Sequence, residues 1–214
     1  MGIKERKERE KQQRRIDIIN AAEEVFSSKG YDNSTMDDIA ARAELVKGTL
    51  YLYFNTKSEI CLTIAVRGLN LLKQMIEKTA RQSKKNIEKL REILTTCLQY
   101  QKKYPKYARA LVHFRDYIEQ CRENSEMLEQ AWAENDAIVT IIRGIIQNGI
   151  LDKTISADID ADKLALALWG QMSGFLPNLA FERTKHPNID KKLPESSAEH
   201  TDYLYNLIIQ GITH

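Results

Sequence analysis

Residues 34–59, STMDDIAARAELVKGTLYLYFNTKSE, restrict the possible folds of this chain more than any other stretch. They read as two short helices joined by a tight turn, followed by the start of a third. Over residues 46–54 a helical period places Val46, Leu50, Tyr53 and Phe54 on one side and Lys47, Gly48, Tyr51 and Leu52 on the other. The first set is expected to form a core stripe. The second is expected to face outward, although it carries a tyrosine and a leucine beside a glycine, with Thr49 close by. Large apolar groups left on an outward face point to a partner. Glycine lets another backbone approach closely, and lysine, threonine and tyrosine can all bond phosphate oxygens.

Upstream, Thr35 has the character of an N-cap, with Asp38 three residues on. Met36, Ile39, Ala40 and Ala43 then follow at helical spacing on a single face. Two helices of about eight residues, separated by a turn of three or four, have the dimensions of a helix-turn-helix DNA reader whose second helix enters the major groove. The run T-x-x-D-I-A-x-x-A, followed by K-G-T-L-Y-x-Y-F-x-x-K, resembles the DNA-binding domain of the TetR family of transcriptional regulators.

The chain departs from that family's usual pattern at three positions. Glu44 stands where the turn usually has glycine, Val46 where the recognition helix usually has a serine cap, and Leu52 where an aromatic or polar residue is common. A glutamate held at positive φ carries strain of about 1 kcal/mol. Leu52 gives up a phosphate bond and gains a group suited to packing on a thymine methyl.

The resemblance implies an all-α fold. An N-terminal arm and three-helix helix-turn-helix domain would occupy residues 1–57, and a helical effector-binding and dimerisation domain residues 58–214, with about nine helices in all. It implies DNA contacts by Thr35, Lys47, Gly48, Thr49, Tyr51, Leu52, Tyr53 and Lys57. Tyr53 lies nearer the core edge than the others, and Lys57 is expected to offer a charge to phosphate.

The hydrophobic content of 43% is enough for a sizeable core, and the net charge of +2 is nearly balanced. Residues 1–57 hold eleven Lys and Arg against ten Asp and Glu, so the N-terminal part is not basic overall. The local arrangement is more informative. Residues 1–15 carry seven basic and three acidic side chains and no apolar stripe. They are expected to be a frayed tail, an early extension of the first helix, or an arm reaching for a minor groove.

From residue 16 to 29, Ile18, Ile19, Ala22, Val25 and Phe26 define a supporting helix that ends at Gly30. Thr56 and Glu59 open a long helix carried to about residue 81, with no breaker inside it, suited to act as a lever between two domains. Further helices are expected over 86–103, 105–119 and 125–149. In the last of these, Asn135 interrupts an apolar stripe that includes Trp132, and a buried amide must find a partner. Residues 163–181 are almost wholly apolar, with Ala167, Gly170 and Gly174 forming a strip of small residues and Pro177 expected to kink or end the helix. A helix apolar all round in so short a chain implies burial against a second copy. A final amphipathic helix bears Leu204, Leu207 and Ile208, and two such helices from each of two chains make a four-helix interface. The TetR family pairs through its last two long helices, in agreement with this pattern.

The resemblance implies a homodimeric bacterial repressor in the cytoplasm, which would bind double-stranded DNA at a palindromic operator and release it on binding a small, largely apolar effector. Candidates for the effector pocket are Phe114, Tyr117, Trp132, Asn135, Gln171, Met172 and Phe175. Cys61, Cys97 and Cys121 are widely spaced, and neither they nor His113, His186, His200 and His214 make a metal or catalytic motif. No cofactor is therefore expected, no signal peptide or membrane span is expected, and an all-helical enzyme ranks below regulation. The other alternative is a helical adaptor that binds protein through Tyr51 and Leu52.

Overall fold

The computed structural model describes residues 2–112, 126–182 and 197–213, with backbone alone at 112, 175–182, 197–201 and 204. Nine helices and no strands occur among the described residues. We label them α1 (Ile3–Lys29), α2 (Met36–Arg42), α3 (Lys47–Tyr51), α4 (Lys57–Ala80), α5 (Asn86–Lys103), α6 (Pro105–Val112), α7 (Glu126–Leu151), α8 (Ala161–Glu182) and α9 (Ser197–Ile212).

The charged N-terminal residues are not a frayed tail: α1 begins at Ile3 and continues unbroken for 27 residues. No glycine or proline interrupts it, and side chains one turn apart support it. Arg6 bonds Glu10 at 2.8 Å, Gln12 bonds Glu8 at 3.0 Å, and Gln13 bonds Asp17 at 2.9 Å. Each such pair contributes about 0.2–0.5 kcal/mol. The helix stops at Gly30, whose φ of 79° only glycine adopts freely, with its N–H bonded to the Phe26 carbonyl.

Two apolar cores result. The first gathers Ile18, Ile19, Ala22 and Val25 of α1, Ile39 and Ala40 of α2, and Leu50 and Phe54 at α3. It extends to Ile60, Cys61, Ile64 and Ala65 of α4 and to Ala110 of α6. The second packs the rest of α4 with α5, α7, α8 and α9. The lever helix α4 thus contributes side chains to both cores. At Gly68, α4 comes so close to its neighbours that a Cβ there would lie 2.6 Å from the Tyr100 hydroxyl and 2.8 Å from Tyr107 Cβ. At the far end, the Ser156 N–H bonds the Ile212 carbonyl at 2.7 Å, tying the α7–α8 loop to the end of α9.

Three expectations need correction. Val46, assigned to the core stripe, is 74% exposed, because as the residue preceding α3 it lies off the helical period. Of the two effects expected of Pro177, kinking or ending the helix, the ending does not occur, since Pro177 lies inside α8. The last turn of α7 runs on to Leu151, two residues past Gly149. Of the helix expected over 105–119, α6 covers Pro105–Val112, and residues 113–119 lie outside the described residues.

Candidate nucleic-acid interface

The helix-turn-helix is assembled from local bonds. At the start of α2, Thr35 Oγ1 accepts the Asp38 N–H at 3.1 Å, and Asp38 Oδ2 accepts the Thr35 N–H at 3.0 Å. This reciprocal box satisfies two amides that the first turn leaves open. Lys29 also donates to Asp38, and together with Thr35 it lowers the carboxyl's pKa to about 2. The turn after α2 places Glu44 at φ 55°, while the Leu45 N–H reaches back to the Ala40 carbonyl at 2.9 Å. That residue is the left-handed position at which a helix ends and the chain reverses.

Beyond the turn, α3 is anchored by buried Leu50 and by Phe54 just past its end. Arg15 locks the exit: its guanidinium lies 4.2 Å from the Phe54 ring centroid and donates to the Tyr53 carbonyl at 3.2 Å. The outward surface then carries Val46, Lys47, Gly48, Tyr51 and Leu52. Leu52 is 80% exposed and Tyr51 41%. A side chain at Gly48 would meet nothing within 4 Å, so its place on this surface is open.

The other predicted contacts are placed differently. Thr49 and Tyr53 are half-buried, and Tyr53 packs against the first core. Thr35 is exposed, but its hydroxyl is used in the cap. Lys57 differs most from expectation. Its ammonium donates to the carbonyls of Tyr31 at 2.7 Å and Ser34 at 2.9 Å and lies over the Tyr31 ring, so it staples the α1–α2 loop. Lys47, by contrast, is on the surface and paired with Asp37 at 2.8 Å, which raises its pKa. Arg42 is paired with Glu24 in the same region. Sequence reasoning missed Val46 as a surface residue. The signal was available, since a residue in the cap position precedes the helical stripe.

Of the predicted effector residues, Trp132, Asn135, Gln171 and Met172 have described side chains. Phe114 and Tyr117 lie outside the described residues, as does the side chain of Phe175. Asn135 finds its partner in Trp169, whose indole N–H donates to Oδ1 at 2.6 Å. Met172 is buried with its sulfur 3.6 Å from Cys97 Sγ, whereas Gln171 is exposed and Trp132 half-exposed. Burial pushes the Cys97 thiol up to about 12, which suits a packing role. A cleft of 530 Å³ opens instead between α4, α6 and α7, lined in part by Arg67, Asn70, Tyr107 and Met127.

On α8, Ala165, Leu168 and Trp169 face inward, while Leu166, Ala167, Gly170 and Gly174 are exposed. On α9, Tyr203 and Leu207 are exposed at 65% and 55%, Ile208 is half-buried, and the Leu204 side chain lies outside the described residues. Among the described residues no helix is long and apolar enough to cross a membrane.

Comparison with known proteins agrees with this geometry. Residues 18–64 match the bacterial regulatory proteins of the tetR family, and residues 85–202 match the C-terminal region of MAATS-type transcriptional repressors. The HTH-type transcriptional regulator TtgR of Pseudomonas putida is 25% identical over 176 residues, covering 80% of this chain and 82% of that protein. The fold is similar to that of the fatty acid degradation regulator FadR from Bacillus halodurans, with a TM-score of 0.68 and 17% identity over 94% of this chain and 97% of the other. It is also similar to FadR from Bacillus subtilis, solved in complex with stearoyl-CoA, with a TM-score of 0.62 and 20% identity over 91% of this chain and 95% of the other.

Proposed function

Because the chain belongs to the TetR family of bacterial regulatory proteins, we propose that it works in the cytoplasm as a homodimeric repressor, a ligand-responsive DNA-binding regulator rather than an enzyme. Residues 1–57 form its DNA-binding unit and residues 58–214 its effector-binding and dimerisation unit. Two copies of α3 lie in successive major grooves of a palindromic operator, about 34–36 Å apart. The observation that carries this reading is the exposed surface of Val46, Lys47, Gly48, Tyr51 and Leu52, held on a five-residue helix whose other side is anchored by Leu50.

Lys47 and Tyr51 supply donors for phosphate and base edges, and Gly48 allows the backbone to come close. Pairing of the two chains uses the apolar face of α8 and α9, where Leu166, Ala167, Gly170 and Leu207 stand exposed on one protomer. Small residues there allow two helices to approach closely. A small, largely apolar effector acts through α4, which contributes to both cores and so transmits displacement from one to the other. The stearoyl-CoA complex of the Bacillus subtilis neighbour supports an acyl-bearing molecule as the first class to try.

Footprinting on the promoter upstream of the protein's own gene tests the proposal. Protection of a palindrome, lost with Tyr51→Ala, is the expected result. Absence of any protected sequence, or protection unaffected by changes on α3, would overturn it.

A further inference from the structure

Glu23 is a buried carboxylate on α1, in the DNA-binding part of the chain, and its side chain is 4% exposed. It has one cation from each of two helices of the other part. Lys106 of α6 donates to Oε2, and Arg67 of α4 lies 3.5 Å from Oε1. Oε1 accepts no hydrogen bond, since the nearer bond of the Arg67 guanidinium goes to Asn20 Oδ1 at 3.1 Å. The attraction between Arg67 and Glu23 is therefore a charge contact that holds α1 to α4 without the directional bond that would complete it.

Among the described residues, Arg67 is also the one charged residue lining the 530 Å³ cleft between α4, α6 and α7. Its neighbours there are polar but neutral, including Asn70, Gln74 and Gln130, together with apolar Val66, Leu71 and Met127. Glu134 of α7 is balanced by Lys73 at 2.6 Å and bonded by Asn70 at 2.8 Å. The α4 face running from Thr63 to Gln74 is about 16 Å long at 1.5 Å per residue, enough for an extended chain of about ten carbons.

Granting the regulatory role proposed above, we propose that this cleft takes an amphipathic anion whose negative group draws Arg67 away from Glu23. The apolar body lies along Val66, Leu71 and Met127. The anion offers the guanidinium the geometry that buried Oε1 does not, and Glu23 is left with Lys106 and the Tyr107 hydroxyl. The grip of α4 on α1 then weakens, so the ligand binds better to the conformation in which the DNA-binding part is displaced. Such a difference in affinity is what an effector needs in order to shift an equilibrium.

Decanoate and decan-1-ol, matched in chain length, are titrated into the full-length protein by calorimetry in the absence of DNA. Decanoate is expected to bind about 10-fold more tightly, the effect of one charge-assisted hydrogen bond. Arg67→Met is expected to bring the two affinities together, and Arg67→Lys to restore the preference. Glu23→Gln removes the competing carboxylate and is expected to tighten decanoate binding several-fold. Equal affinity for the two molecules, binding of neither, or a preference that survives Arg67→Met overturns the assignment. Because no operator is present, failure here leaves DNA regulation standing, and a failed footprint leaves this ligand preference standing.

Discussion

Lys47 Nζ on the recognition helix lies 2.8 Å from Asp37 Oδ1 on the preceding helix, and both side chains are more than half exposed. The cation best placed to meet a phosphate is thus already shared with an acid of the same chain. A phosphate must displace Asp37, which lowers non-specific attraction to DNA. In Asp37→Asn, non-specific duplexes are expected to bind more tightly, and the slope of log affinity against log salt to steepen by about one. Anisotropy titrations between 50 and 200 mM salt measure both, and an unchanged slope would show that Lys47 does not reach phosphate.

Leu52 is 80% exposed at the end of α3 and has no hydrogen bond to offer a base. Its reading of DNA should be apolar, through thymine methyl groups. Replacing thymine by uracil in the footprinted operator removes only those methyls. At one or two positions this is expected to cost about 1 kcal/mol, and Leu52→Ala should abolish the discrimination. Equal affinity for both duplexes at every position would rule the contact out.

Asp38 is held at about 2 by Lys29 and by the Thr35 hydroxyl and amide, against an ordinary value of 3.8. A carboxyl whose folded value is depressed contributes stability that is present above the unfolded value and lost as pH falls toward the folded one. Stability of the helix-turn-helix is therefore expected to decline between about pH 4 and pH 2, and Asp38→Asn to flatten that part of the profile. Denaturant midpoints followed across this range provide the check.

Much of this organisation was legible in the sequence because it is local. The Thr35–Asp38 box, the Gly30 stop and the Leu50–Phe54 anchor depend on residues a few positions apart. Glu44 could be identified as a strained turn for the same reason. What was not legible depends on distant partners. Lys57 looks like a free cation until the loop carbonyls of Tyr31 and Ser34 are seen around it, and Asn135 like a ligand contact until Trp169 is found beside it. Val46 was misplaced because a helical stripe was extended across a cap.

The φ of 55° at Glu44 leads to a further substitution. Glycine adopts this conformation without the clash of a Cβ with its own carbonyl, although it has more freedom to lose on folding. Glu44→Gly is expected to stabilise the chain by about 0.5–1 kcal/mol, and Glu44→Val to destabilise it by at least as much. Urea denaturation of both variants gives the sign directly. Stabilisation by valine would mean the turn is not left-handed.

At Gly68 the opposite outcome is expected. A methyl group would lie 2.6 Å from the Tyr100 hydroxyl and 2.8 Å from Tyr107 Cβ, and the second atom cannot swing away. Gly68→Ala should cost about 1–3 kcal/mol by overpacking, despite alanine's better helix propensity. A thermal midpoint at or above that of the unaltered protein would show that α4, α5 and α6 are not so tightly apposed.

The unbroken run of α1 from Ile3 limits how the first residues can meet a duplex. An α-helix with its side chains is about 10–12 Å across, while a B-form minor groove is about 6 Å wide. The basic residues ahead of Arg15 form a stiff rod too broad to thread that groove. They can reach DNA only by lying against its sugar-phosphate ridges, so shortening the rod should weaken binding to all sequences alike and leave the choice among them to α3.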